Sequence, residues 1–312
     1  MLNFSRLLAV FAPNSTRANK YLTKVRSQLV NFARENNAAF HEIAIEKLPY
    51  DNAYNVISRQ INDGDLIVSC GGDGLTQVSF DAAFSSKKSA IFATIPLGNG
   101  NDFSRALNGN KTNPQNILRQ NARDFYPLKI SIHSAKSKKI IALSSYITFG
   151  ATTVLVDSLN CENARARRRK LRILTPAVSL PISKLNQLSR KISALNFPIF
   201  QNNGQKSTDD SFGFFVVNAA RGLLRLPKKI TFDKTDFFFH CAKTCDKNLI
   251  NKIIMAGIWS AHFPGKITND KEITFHDPVN IAANIAGDNI ELQNVNKISA
   301  ERARKSIKVL AK

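Results

Sequence analysis

Two short glycine-rich runs limit what this chain can fold into. Gly71-Gly72-Asp73-Gly74 follows the apolar stretch Leu66-Ile67-Val68, and Pro96-Leu97-Gly98-Asn99-Gly100-Asn101-Asp102 follows Ala90-Ile91-Phe92-Ala93-Thr94-Ile95. Each apolar stretch has the length and branched content of a buried strand, and each glycine run opens onto a helical pattern, the first lasting through Ala83. Two strands that turn at once into helices call for a parallel sheet layered with helices. Glycines at such a turn let the backbone approach an anion. The helix that follows adds N–H groups and the positive end of its dipole.

The segments before these runs share the rhythm. Leu7 to Phe11 reads as a strand ending in a Pro13-Asn14-Ser15 turn, and residues 16–36 carry Leu22, Val25, Leu29 and Phe32 at helical spacing. A strand over about 39–45 and a helix bearing Tyr54, Ile57 and Ile61 follow. From residue 128 the rhythm changes. Leu128–His133, Lys139–Leu143, Tyr146–Phe149, Phe212–Asn218, Ile230–Cys241 and Ile273–His276 read as strands joined by turns, which predicts a second, mostly antiparallel β domain. We divide the chain into an α/β domain over 1–127 and a β domain over 128–312, with a firm interface because no linker of biased composition separates them.

One stretch breaks the β pattern. Residues 165–172 hold six cations in eight positions, and beyond Thr175-Pro176 the residues Val178, Ile182, Leu185, Leu188, Ile192 and Leu195 recur at near-helical spacing. A basic amphipathic excursion over about 164–195 suits a protein that rests on anionic lipid, and it equally suits an ordinary helix packed on its domain. Forty-four Lys and Arg against 23 Asp and Glu give the 312-residue chain a formal charge of +21, a surface that attracts polyanions. No nucleic-acid module accompanies that charge, so no specific nucleic acid is expected as a partner.

With 43% apolar and 21% charged residues the chain is globular, and no apolar run approaches the roughly 18 residues of a membrane span. Cys70, Cys161, Cys241 and Cys245 lack zinc-site spacing and read as reduced thiols of a cytoplasmic protein. The five histidines, 41, 133, 240, 262 and 276, show no paired metal spacing. What remains is the pair of glycine runs, each with an aspartate. Carboxylates beside a polyphosphate make sense as Mg²⁺ ligands or as acceptors of a hydroxyl proton, which points to nucleotide-dependent phosphoryl transfer. Asp73 also suits an Asx-type turn and Asp102 a helix-start carboxylate, so both structural readings stay open.

Together, at this spacing, the two runs resemble the catalytic domain of diacylglycerol kinases, including the soluble bacterial lipid kinases, and of sphingosine and ceramide kinases. In that family a Gly-Gly-Asp-Gly run and a Pro-x-Gly-Thr-x-Asn-Asp-Phe-Ala-Arg run form the nucleotide site. Here the second continues Asn101-Asp102-Phe103-Ser104-Arg105. Weaker pieces extend the likeness along the chain: Phe149-Gly150, Val217-Asn218 to Pro227, Asp233 and Gly287-Asp288. The resemblance implies an α/β nucleotide-binding domain of the NAD kinase and diacylglycerol kinase type, then an antiparallel β-sandwich domain for a lipid substrate. It implies ATP and Mg²⁺ as cofactors, phosphorylation of a hydroxyl on a diacylglycerol-like lipid, and a cytoplasmic enzyme bound peripherally to anionic membrane, with room for a homodimer.

By the same resemblance, Gly71, Gly72, Asp73, Gly74, Thr76, Gly98, Asn99, Gly100, Asn101, Asn14, Ser15 and Thr16 contact the nucleotide. Asp73, Asp102 and Asp288 are catalytic, with Asp73 and Asp102 toward the metal. Several positions depart from the family's pattern. Leu75, Thr76, Gln77 and Val78 stand where it has Thr, then Asn or His and Glu, so a polar contact is missing at Val78. The early Asn-Pro-x-Ser-Gly element is reduced to Ala12-Pro13-Asn14-Ser15-Thr16, the late Asp-Gly-Glu becomes Ala286-Gly287-Asp288, and Lys234 follows Asp233 in place of glycine. An NAD kinase-like enzyme and a catalytically weak lipid- or nucleotide-binding relative are the alternatives.

Overall fold

The structure, a computed structural model, describes residues 2–15, 18–46, 48–98, 101–109, 111–135, 137–150, 153, 200–202, 205–206, 211–217, 237–243, 266–268 and 270–312. The first part comprises β1 (Arg6–Phe11), α1 (Ala18–Glu35), β2 (Ala39–Ala44), α2 (Tyr50–Ser58), β3 (Asp65–Gly71), α3 (Asp73–Ser85), β4 (Ile91–Pro96), α4 (Asp102–Asn108), α5 (Pro114–Leu118) and β5 (Asn121–Phe125). Then come β6 (Leu128–Ser134), β7 (Lys138–Leu143), β8 (Tyr146–Gly150), β9 (Phe200–Asn202), β10 (Gln205–Lys206), β11 (Ser211–Val217), β12 (Phe237–Lys243), β13 (Lys266–Thr268), β14 (Asp270–Ile285), β15 (Asp288–Arg302) and β16 (Ile307–Ala311). The basic excursion over 164–195 lies outside the described residues, as does Asp233.

β3 is buried at all seven positions, as a strand covered on both faces must be. It lies in a sheet of order β2-β1-β3-β4-β16-β5, parallel except where β16 meets β5. Alternate residues of each strand feed opposite layers. Leu7, Ala9 and Phe11 join Leu66, Val68 and Cys70 under α1, where Val25, Leu29 and Phe32 supply the helical stripe. Leu8, Val10 and Ile67 face α2 and α3 on the other side, and that cluster continues without a break into Ile130, Ile141, Ile147, Phe149 and Ile285 of the second unit. Cys70 is a free thiol in the first layer, and burial raises its pKa.

The second unit is antiparallel, in the order β13-β12-β11-β8-β14-β15-β6-β7, with β9 and β10 carried on β14. Its chain leaves the first sheet after β5 and returns as β16, which lies parallel to β4 and antiparallel to β5. The antiparallel sheet is therefore inserted between two adjacent strands of the parallel one.

A buried polar network holds the two units together. The Gln77 side chain donates to the Ala142 carbonyl at 3.0 Å and accepts from the Ser144 N–H at 2.9 Å and hydroxyl at 2.7 Å. One turn further along α3, Asp81 accepts from the Ala142 N–H at 2.8 Å and the Tyr50 hydroxyl at 2.9 Å. These bonds seat the β7–β8 turn against α3. The Asp81 carboxyl is pushed up to about 6, because burial outweighs the donors of Ala142, Tyr50 and Ser85 and the charge of Lys139.

A carboxyl raised in the folded chain holds its proton more tightly there than when unfolded. Its contribution is full below the ordinary value of 3.8 and is lost as pH climbs to about 6. Relative to Asp81→Asn, the wild type is expected to lose about 2 kcal/mol of unfolding free energy between pH 4 and pH 6.5, measured by urea denaturation. A stability difference that stays constant over that range refutes the buried ionisation.

Candidate active site

β1, β3 and β4 all run the same way, so the turns after them meet at one edge of the sheet. The chain reaches β2 on one side of β1 and β3 on the other, which makes this edge a switch point of the kind where open α/β sheets take ligands. Backbone bonds join the three turns. The Ala12 N–H donates to Cys70 O at 3.2 Å, and Leu97 and Gly98 both donate to Gly71 O, at 2.8 and 3.2 Å. The Ser15 hydroxyl adds a bond to Leu97 O at 3.3 Å. Gly72 and Gly98 cross so tightly that a Cβ on Gly98 would strike the Gly72 backbone.

That crossing brings the Asp73 carboxylate to the start of α4. Its Oδ2 accepts from the Asn101 N–H and its Oδ1 from the Asp102 N–H, both at 2.6 Å. Asp73 therefore satisfies helix-start donors in a helix that is not its own. Burial raises its pKa; N–H donors from 101–103 and the charge of Arg105 oppose the rise. A carboxylate has about four acceptor positions, so this one is fixed in direction and keeps capacity for a further donor. Asn101 takes the left-handed conformation at φ 54°, which asparagine tolerates, and its amide braces the loop by bonding Gly98 N at 3.0 Å and Gly98 O at 2.7 Å. Phe103 anchors the short α4 from below, edge-on to Phe80 at 5.4 Å and Phe125 at 5.3 Å.

The second unit supplies Asp288. β14 and β15 are joined by Ala286 and Gly287, both at positive φ (49° and 104°), and Ile285 pairs with Asp288. This is a two-residue hairpin of the primed type. The Ala286 N–H donates to Tyr146 O at 3.2 Å, tying the tip to β8. From there the Asp288 carboxylate reaches Gly74, where a Cβ would lie 2.8 Å from its Cγ. A side chain at 74 would displace the carboxylate from this place.

Tyr146, at the start of β8, shares this point. Burial raises its phenol pKa well above the ordinary value, and the charges of Asp73, Asp102 and Asp288 raise it further. The charges of three carboxylates, two from the first unit and one from the second, thus act on one phenol. Nothing in the motifs pointed to Tyr146.

The other expected residues are placed as follows. Gly71, Gly72, Gly74 and Gly98 form the crossing, Ser15 joins it, and Asn14 stands exposed beside it. Thr76 is buried behind the loops, its hydroxyl 3.2 Å from that of Thr94. Thr16, Asn99 and Gly100 lie outside the described residues. Beside α4 a cavity of about 220 Å³ is lined by Pro96, Asn101, Ser104, Arg105, Lys111 and Thr112. The buried Ser104 hydroxyl has no partner among the described residues.

Known structures share this fold. The crystal structure of a diacylglycerol kinase from Bacillus anthracis str. Sterne is similar over 100% of this chain and 98% of its own, with a TM-score of 0.66 and 16% identity. Two further solved structures from that organism, whose descriptions propose the same kinase, superpose over the same shares at 0.64 with 16% identity and 0.61 with 15%. At these identities the likeness speaks for the fold, an α/β unit followed by an antiparallel sheet. No curated protein matches the sequence. The diacylglycerol kinase catalytic domain family matches over residues 6–129, the segment that carries both glycine runs, Asp73 and Asp102.

Proposed function

We propose that this protein is an ATP- and Mg²⁺-dependent kinase that phosphorylates a hydroxyl of a diacylglycerol-like lipid. The observation that carries the reading is the crossing of the two glycine loops, which fixes the Asp73 carboxylate on the start of α4 while Asp288 reaches Gly74 from the second unit. The loops and the first turn of α3 offer backbone to phosphate, and the fixed, raised carboxyl of Asp73 is suited to take the proton of the attacking hydroxyl. As that proton moves to Asp73, the lipid oxygen forms its bond to the γ-phosphorus and the bond to the ADP oxygen breaks.

Among the described residues no three His, Cys, Asp or Glu side chains gather into a metal cluster. A Mg²⁺ carried in on nucleotide phosphates needs only one or two protein carboxylates. Asp73 and Asp102 are the candidates. When bound, the ion neutralises charge on the phosphates. Arg105 and Lys111, on the cavity beside α4, add positive charge on that side.

The protein is proposed to work at a membrane surface from the cytoplasm. No helix among the described residues is long and apolar enough to cross a membrane, so contact would come from basic surface and from the 164–195 segment. Replacing Arg165, Arg167, Arg168 and Arg169 with Gln should weaken binding to anionic vesicles at low salt. Each cation near such a surface contributes about 1 kcal/mol before screening. Equal vesicle binding by both proteins refutes the docking role.

The deciding experiment is ATP turnover against a panel of diacylglycerol, other long-chain lipids and NAD. Lipid-dependent turnover is expected; NAD-dependent or absent turnover selects one of the alternatives. Asp73→Asn should lower kcat by roughly three orders of magnitude. It should also lower unfolding free energy by about 1–2 kcal/mol, because one helix-start N–H loses its acceptor. Turnover like the wild type in the folded variant rejects Asp73 as the base. Gly74→Ala and Asp288→Ala should each reduce turnover, and the double variant should be no worse than the poorer single one, because both act through one contact. Additive losses would separate the two positions.

A further inference from the structure

We propose that Asn284 is a positioning residue for phosphoryl transfer, fixing the hairpin tip that sets Asp288 against Gly74; the catalytic part rests on the kinase reading above. Asn284 is completely buried, between the equally buried Ala283 and Ile285. An amide in such a place is unfavourable unless it is bonded at both ends. Its Oδ1 accepts from the Gly287 N–H at 3.0 Å, and its Nδ2 donates to Asn289 Oδ1 at 2.6 Å. Asn284 and Asn289 are cross-strand partners, so the amide spans the neck of the hairpin and closes it from inside.

The tip needs such a brace because its own residues do not favour the turn. A primed two-residue turn wants Asn, Asp or Gly at its first position, and here Ala286 sits there at φ 49° with its methyl group buried. The brace acts on Gly287, the residue next to Asp288. Any drift of the turn is therefore passed directly to the carboxylate at Gly74. On the other side of the tip the Ala286 N–H donates to the Tyr146 main-chain carbonyl, so the same movement would pull on the start of β8.

The test uses the full chain with Asn284→Ala and Asn284→Asp, the second keeping volume and the acceptor for Gly287. Amide hydrogen exchange at Gly287 and Asp288 should quicken by at least tenfold in Asn284→Ala and stay near wild type in Asn284→Asp, with the amides of β1 and β3 unchanged in both. Steady-state kinetics should show kcat reduced roughly ten- to a hundredfold in Asn284→Ala with the KM for ATP unchanged, and substantial recovery in Asn284→Asp. Unchanged exchange at the tip in Asn284→Ala overturns the brace, whether or not the wild type transfers phosphate. Faster exchange with unchanged kcat overturns its contribution to transfer. If the wild type phosphorylates nothing in the panel, the kinase reading fails by itself and the exchange comparison still decides the brace. If Asn284→Ala does not fold, Asn284→Asp carries the test against Asn289→Ala, which removes only the outer bond and should quicken exchange at Gly287.

Discussion

The site depends on the crossing of two backbones. Gly98 passes so close to Gly72 that a side chain on Gly98 would collide with it, and only this brings the next residue, Asp73, within bonding distance of the Asn101 and Asp102 N–H groups. α4 is only seven residues long, below the length at which a helix holds itself in water. It is held from above by the Asp73 carboxylate and from below by Phe103 in its cluster with Phe80 and Phe125. Asp102 is placed by the same two constraints. A change that opened the crossing would therefore disturb both candidate carboxylates of the first unit together.

The second unit reaches this point through a junction that is partly polar. Gln77 and Asp81 project from α3, the helix that begins at Asp73, and bond the backbone of Ala142 and Ser144 just ahead of Tyr146. Apolar packing alone would accept several registers of β7 and β8 against the helix. Named donors and acceptors accept one, because any other leaves buried groups unpaired. The return of β16 into the first sheet adds a second tie, so both ends of the inserted antiparallel sheet are anchored in the parallel one.

Much of this was legible in the chain. The strands at β1, β3 and β4 and the helices after them follow from apolar runs bounded by glycine, and the change to antiparallel strands after residue 127 follows from the loss of helical spacing. Less legible were the short α4 and α5 and the strand β5, whose residues carry little periodicity and are held by tertiary contact. β16 could not be assigned to the first sheet, because Ile307–Ala311 reads as a strand of any sheet and its partners lie far away in sequence. At the site, the glycines and aspartates were visible as motifs. Tyr146 and Asn284 were not, since each gains its meaning from a neighbour across the fold. Asn101 was visible, but its amide turns inward to brace Gly98.

The departures from the family's pattern look different once the packing is known. Val78 removes a polar group from α3, yet its side chain belongs to the buried core, and the polar contacts with the second unit come from Gln77 on one side and Asp81 one turn further on. Asp288 is one methylene shorter than glutamate, but a shorter side chain loses reach only if the backbone stays where a longer one would need it. Here the hairpin tip is tied to Tyr146, and the carboxylate already lies at the Cα of Gly74 with no room for a methyl group between them. A longer side chain on the same backbone would have to bend away from that contact. The shorter acid and the bare glycine therefore fit each other, and the distance from β15 to the loops is set by the hairpin more than by side-chain length.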